Sequence, residues 1–485
     1  MRSTWKTLAA AVATALVAPQ FANADDVEER FRQMQERMDQ LEDQLAATND
    51  QLEASTARVE EQERVIERAG LDDRSATSGL TRFLEMTEIS GFIAASWNYN
   101  FNDPDASALG TQAPEGIASP AGTVNGWNSG ALGLTAPLHS NPNTFQVDQL
   151  WFSLKKPVSE ESRGGWGADI VFGSAADVAN GWIWGWGDPA NVGSLPHLFQ
   201  AYVSYLAPIG SGIEIQAGRW ETLLGAESFR QDRSFNITRG VVWSLQPVNH
   251  TGVLFSGDLG ERLAWAVGVA NQSGNTMADT DNSKTGIGQI KWHGDTTTLA
   301  LNGMIGGDVP VPLPGAGNPG RPGVGRDSDY VGILDFVATW DPSDELSAWV
   351  NFDAIFTHDD GLPDNAVYAV AVAGHLVITE ATGFSLRGEY VHGDDVFKGS
   401  GILSGDMGLP TFAGATDIDL FSITGTFDHR LATNLTLRVE GRYDVVHLDG
   451  APDMFFVADE DPVDLPTIYR KEDQVLALVE VLYEF

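Results

Sequence analysis

The chain has 485 residues, no cysteine, a charged fraction of 20% and a formal net charge of -38. Without cysteine it forms no disulfide, thiolate metal site or cysteine nucleophile, and its acidity argues against nucleic acid, whose phosphates need clustered Lys and Arg. Plentiful Gly (52) and Trp (14) beside so few charges fit strands with one lipid-facing side, while the length alone would also allow two or three soluble domains.

Residues 1–24 read as a secretory signal. Arg2 and Lys6 precede a short apolar run from Leu8 to Ala18, and Ala22-Asn23-Ala24 has the small-x-small form that signal peptidase accepts, which places cleavage after Ala24. The run is shorter than the about 20 apolar residues that cross a bilayer as a helix.

Residues 25–70 carry a seven-residue repeat. Phe31, Met38, Leu45, Leu52, Val59 and Ile66 fill one core position; Val27, Met34, Leu41, Thr48, Ser55, Gln62 and Ala69 fill the other. The 3.5-residue period predicts a coiled coil, and Arg37 and Arg58 would face Glu42 and Glu63 of a parallel partner. Thr48, Ser55 and Gln62 weaken half the seam, so a single solvated helix is the alternative, and core chemistry does not set the strand number. Residues 71–85, with Gly79 and several small polar residues, read as a linker.

From Met86 to Phe485 the pattern becomes alternating. About sixteen runs of roughly ten residues are separated by connections that alternate between long and short, the signature of an all-β transmembrane barrel of about 16 antiparallel strands. The short connections are Pro157 to Ser162, Pro208 to Ser211, Asp258 to Glu261, His293 to Asp295, Asp341 to Asp344, Ala381 to Gly383 and His429 to Thr433. The long ones are Asn102 to Asn143, Ser174 to Pro196, Glu221 to Asn249, Asn271 to Ser283, Gly306 to Asp327, His358 to Asn365, Gly393 to Ala415 and His447 to Arg470. Tight turns belong on the periplasmic side and long loops outside, and an even count returns the last strand to the periplasm beside the coiled coil.

Alternation also assigns the faces. Trp166, Ala168, Ile170 and Phe172 oppose Asp169; Leu435, Leu437, Val439 and Tyr443 oppose Arg438, Glu440, Arg442 and Asp444; Val475, Ala477, Val479, Val481, Tyr483 and Phe485 oppose Gln474, Glu480 and Glu484. A charge on the lipid side at the midplane costs about 2–4 kcal/mol, so the charged face is the lumen. Val481, Tyr483 and Phe485 resemble the C-terminal signal read by the outer-membrane insertion machinery.

No Gly-x-Ser-x-Gly elbow, His-Glu-x-x-His helix or phosphate-binding Gly-Lys occurs, and the nine His are scattered, so no catalytic set, cofactor or metal site is expected. The indoles between Gly181 and Gly187 suit either sugar stacking or loop packing. The acidic residues Asp449, Asp453, Asp459, Glu460, Asp461 and Asp464 lack the spacing of a calcium loop and read as a solvated surface.

Four segments carry a resemblance: Gln200 to Leu206, Gln216-Ala217-Gly218-Arg219-Trp220, Leu224-Gly225-Ala226-Glu227 and Asn249-His250-Thr251-Gly252. Together they resemble the β-barrel porin-2 (OmpL-like) family over roughly residues 91–485, which implies an outer-membrane pore of undefined substrate. The coiled coil ahead of a barrel is similar to DcaP-like and phosphate-selective porins, where it helps trimerise the protein, although the chain lacks the long Arg and Lys ladder of the phosphate type. The resemblance implies a homotrimer; a barrel of this kind meets outer-membrane lipid and lipopolysaccharide, and a periplasmic coiled coil would lie within reach of peptidoglycan.

In general porins the third outer loop folds into the barrel, which directs attention to Glu221–Asn249. Within it or at its edge lie Arg219, Arg230, Arg233 and Arg239, with Glu221, Glu227 and Asp232. Guanidinium groups at a constriction bind carboxylates and, against opposing acids, set up a transverse field. Alternatively they pair with those acids and hold the loop in shape. Lys155, Lys291, Arg387, Arg438 and Arg442 extend a cationic track along the lumen, mixed with Glu389, Glu440 and Asp444. The expectation is a passive channel for small hydrophilic solutes or ions, tilted toward small anions or carboxylates, with a cell-wall tether and a carbohydrate-selective porin as alternatives.

Overall fold

The computed structural model describes residues 81, 86–102, 136, 138–139, 143–176, 179, 196–271, 284–306, 330–358, 365–394, 417–449, 455–456 and 470–485. The expected signal (1–24), the coiled coil (25–70), the linker apart from residue 81, the indole-rich run 181–187 and the acidic residues Asp453, Asp459, Glu460, Asp461 and Asp464 lie outside them. The chain divides into units 1–85 and 86–485, and the second is the barrel.

Its strands are β1 (Glu88–Asn100), β2 (Phe145–Lys156), β3 (Gly164–Phe172), β4 (His197–Ala207), β5 (Ile213–Glu221), β6 (Asn249–Asp258), β7 (Leu263–Ala270), β8 (Thr285–His293) and β9 (Thr297–Gly306). They continue with β10 (Tyr330–Ser343), β11 (Leu346–His358), β12 (Asn365–Thr379), β13 (Thr382–Asp394), β14 (Ile418–Ala432) and β15 (Leu435–Leu448). The two-residue pair β16 (Phe455–Phe456) and β17 (Arg470–Lys471) stands in the eighth long connection, and β18 (Asp473–Glu484) is last. All but β16 and β17 form one closed sheet of sixteen strands in sequence order. Closure comes from β1, which pairs antiparallel with both β2 and β18, Trp97 standing opposite Phe145 on one side and Val479 on the other. With no free edge, each strand finds its backbone partners in its neighbours, the condition for crossing lipid without a helix.

The two-residue periodicity fixes what each face meets. On the outside, large apolar side chains stand exposed, among them Val203, Leu301, Phe352, Phe421 and Val479. Asp169, Arg438, Glu440, Arg442, Asp444 and Glu480 are turned inward and buried. Phe485 completes the seam: its N–H donates to Gly91 O at 2.9 Å, Gly91 N–H donates to Phe485 O at 3.0 Å, and a side chain at Gly91 would collide with the Phe485 ring.

Some details differ from the sequence expectations. The turn expected at Ala381 to Gly383 is tighter, because β13 already begins at Thr382, and β14 runs on to Ala432, inside the turn expected at His429 to Thr433. The inward face of β18 is not simply wet. Leu476, Leu478 and Leu482 share it with Gln474 and Glu480 and are buried, Leu476 and Leu478 against Ile237. Water does not cover that wall because chain from a loop does.

Candidate functional site

The third long connection, between β5 and β6, runs inside the barrel. Chain crossing a lumen has no sheet partners, so its backbone N–H and C=O groups must be satisfied by side chains from the wall. Near its start, Gly225 N–H donates to Asp335 Oδ1 (3.2 Å) and Ala226 N–H to Asn351 Oδ1 (3.0 Å). At its far reach, Gln149 Nε2 donates to Phe229 O (2.8 Å) and Gln231 N–H donates back to Gln149 Oε1 (3.1 Å). Arg438 Nη1 donates to Ser234 O (3.0 Å). On the way back, the Glu440 carboxylate accepts from Ile237 N–H (2.6 Å), Thr238 N–H (3.0 Å) and the Thr238 hydroxyl (2.5 Å). Gln246 Nε2 closes the return by donating to Asp353 Oδ2 (2.7 Å).

Loop 3 has a short helix, α1 (Val241–Ser244), and an apolar reason to lie where it does. Val241, Val242 and Leu245 pack into one buried cluster with Ala369, Ala371 and Ala373, which alternate along the inward face of β12. Alanine at three successive inward positions leaves room for a helix against the sheet. Burial of the facing valines and leucine adds about 1.5–3 kcal/mol each. Two glycines make the path possible. Gly225 has φ +86, and a side chain there would strike Gln246; Gly240 has no room because the Glu227 and Glu389 carboxylates close over it.

The electrostatics centre on Arg387, 1% exposed. Its Nη1 donates to Glu227 of the loop (2.7 Å) and to Thr238 O (2.8 Å), and its Nε to Glu389 beside it on β13 (3.1 Å). Arg442 Nε donates to Asp444 (2.8 Å) and Nη1 to Arg239 O (2.7 Å). Arg438 pairs with Glu480. Planar guanidinium donors suit this double task of neutralising a wall acid and holding loop carbonyls. Lys155 pairs with Asp169 at 3.5 Å.

The loop arginines divide sharply. Arg230 pairs with Asp232 (2.9 and 2.5 Å) and lies over the Phe92 and Trp151 rings at 5.5 and 5.1 Å. Arg239 is wholly buried, donating to Ser228 O (2.6 Å), Phe229 O (3.0 Å) and Gln231 Oε1 (2.9 Å); burial pulls its guanidinium down to about 10, which leaves it charged at neutral pH. Glu221 accepts from Ser228 Oγ (2.8 Å). Arg219 belongs to β5, where the register sets it opposite Ala201 and in phase with Ile213, Ile215 and Ala217. Arg233 alone of the loop arginines is exposed, and its guanidinium has no hydrogen-bond or ion-pair partner among the described residues.

Sequence reasoning passed over Asp335, Asn351, Asp353 and Gln149, which also hold the loop, and the β12 alanines. The signal was present: acids and amides at inward positions of otherwise apolar strands, and small residues at every second position of one strand.

A family model described as "Putative beta-barrel porin-2, OmpL-like" matches residues 86–485. No curated protein matches the chain. Among solved structures, the trimer form of in-vitro folded OmpT of Vibrio cholerae is similar at 10% identity and TM-score 0.48, covering 82% of this chain and 99% of that one. An anion-selective porin from Comamonas acidovorans is similar at 10% identity and TM-score 0.46, covering 82% and 99%.

Proposed function

As a member of the β-barrel porin-2, OmpL-like family, the chain is an outer-membrane porin rather than an enzyme, and we propose that it is a passive channel for small hydrophilic solutes whose bore is set by loop 3. The observation that carries this is the loop's course across the lumen, tied to walls on both sides by Asp335, Asn351, Gln149, Glu440 and Arg387. A loop held at so many points narrows the barrel permanently and needs no ligand to close it.

The preference for small anions or carboxylates belongs in this reading to Arg233. Arg230 and Arg239 are engaged in the loop's own structure, and Arg387, Arg438 and Arg442 act as clamps. The domain plan is a cleaved signal to residue 24, a periplasmic coiled coil over 25–70, a linker to 85 and the barrel. The heptads supply the parallel association of a homotrimer and reach toward peptidoglycan. Val481, Tyr483 and Phe485 serve as the insertion signal.

Purified protein in a planar bilayer is expected to show discrete conductance steps that grow with salt concentration. Silence at every voltage and salt would overturn the channel and leave the wall tether.

A further inference from the structure

Both ends of loop 3 meet at one place on the wall. Asp335 of β10 and Asp353 of β11 stand directly opposite each other in the register, face inward and are fully buried. The entering chain donates to Asp335 Oδ1 through Gly225 N–H (3.2 Å), and the returning chain donates to Asp353 Oδ2 through Gln246 Nε2 (2.7 Å). The two ends also touch, since a side chain on Gly225 would strike Gln246. Asn351 links the acids by sharing one amide nitrogen between them, 2.6 Å from Asp335 Oδ2 and 3.3 Å from Asp353 Oδ1. The neck of the loop is thus closed over two carboxyl groups.

Every donor around the pair is neutral. Asn302 of β9 donates to Asp335 and is itself held by Gln289 of β8, while β12 brings only alanines to the same buried cluster. Neither aspartate has an ion-pair partner among the described residues. The other titratable groups of the loop and its flanks are engaged elsewhere: Glu227 and Glu389 with Arg387, Glu221 with Ser228, His250 with Thr222. Two carboxylates that share donors, out of water and without a cation, do not both ionise, because the second charge is opposed by the first and by burial. They keep one proton between them, and such a pair titrates as a unit.

Resting on the porin reading above, we propose that the proton shared by Asp335 and Asp353 is a latch on loop 3, which holds both ends of the loop to the wall and lets go when base removes the proton. The proton passes to hydroxide, no covalent bond of the chain changes, and the two like charges left behind part and draw water into the neck. Glu440, Arg438 and Arg442 keep their hold on the far part of the loop. The freed neck therefore moves on fixed tethers, and the bore fluctuates instead of emptying. The folded barrel holds one proton that the unfolded chain releases, so the neck weakens as pH rises and not as it falls.

Asp353→Asn keeps the shape and the hydrogen bonding of the pair and has no proton to give up; Asp335→Asn does the same from the other strand should the first variant not fold. Parent and variant are recorded in planar bilayers from neutral to strongly alkaline pH. The open-channel current noise of the parent is expected to rise several-fold on the alkaline side and to fall again on return, while the variant stays at its neutral-pH level throughout. Infrared difference spectra of parent minus variant read the proton directly. At neutral pH they should contain the C=O stretch of a protonated carboxyl group, which shifts in deuterium oxide and vanishes over the pH range in which the noise rises. Noise that rises equally in parent and variant, noise that never rises in the parent, or a difference spectrum without that band would overturn the latch. A parent silent at every pH would instead remove the porin reading, and the infrared band, which needs no conduction, would still decide whether the pair holds its proton.

Discussion

Arg387 stands between Glu227 of loop 3 and Glu389 of the wall, and its value depends on both. A buried ion pair adds little over an apolar substitute, but removing one partner leaves charge stranded at about 3–5 kcal/mol. Arg387→Ala strands two carboxylates. It is expected to lower stability by that order in urea unfolding followed by tryptophan fluorescence, and to raise single-channel conductance as the loop loses its central clamp. Conductance equal to that of the parent would mean the clamp does not set the bore. Arg233→Gln makes the contrasting case: stability within about 0.5 kcal/mol of the parent, as for surface changes, with reversal potential under a salt gradient moving toward the cation value. A shift as large from Arg239→Gln in a still-folded barrel would contradict the assignment. The residue types at these positions were legible in the sequence and their states were not. Four arginines near or in loop 3 look alike in a one-dimensional string. Which one faces water depends on carbonyls of Ser228, Phe229, Thr238 and Arg239, and backbone acceptors carry no sequence signal.

Among the elements, the strands were the most legible because alternation is imposed by two solvents. Residues facing lipid, such as Phe352, cannot be charged, and those facing the lumen can. Phe352→Arg is therefore expected to cost about 2–4 kcal/mol when the protein folds into lipid vesicles. An unchanged folding free energy would place Phe352 outside the hydrocarbon. Loop 3 was legible in extent, since β5 ends at Glu221 and β6 begins at Asn249, and opaque in course. Its packing on β12 depends on pairing Val241 and Val242 with alanines more than 120 residues away. Ala371→Leu overfills that contact. It should destabilise by about 1–3 kcal/mol and narrow the channel by pushing α1 off the wall into the lumen, read as lower conductance in a still-folded barrel. Wild-type conductance with lost stability would show that α1 repacks without moving the loop.

At the scale of the whole molecule, the closed sheet and the internal loop divide the work. Sixteen strands satisfy one another's backbones and set a wide cylinder, and loop 3 subtracts from its section. Wide barrels leave an aqueous lumen unless something fills it, so the transport property resides in about two dozen loop residues and the few wall groups that hold them. The most direct measurement compares single-channel conductance of the parent with that of a barrel in which residues 226–246 are replaced by a short Gly-Ser linker. The account predicts a conducting parent and a several-fold larger step from the replaced form, with the loss of any anion preference. Equal steps from the two, or a silent parent, would contradict it.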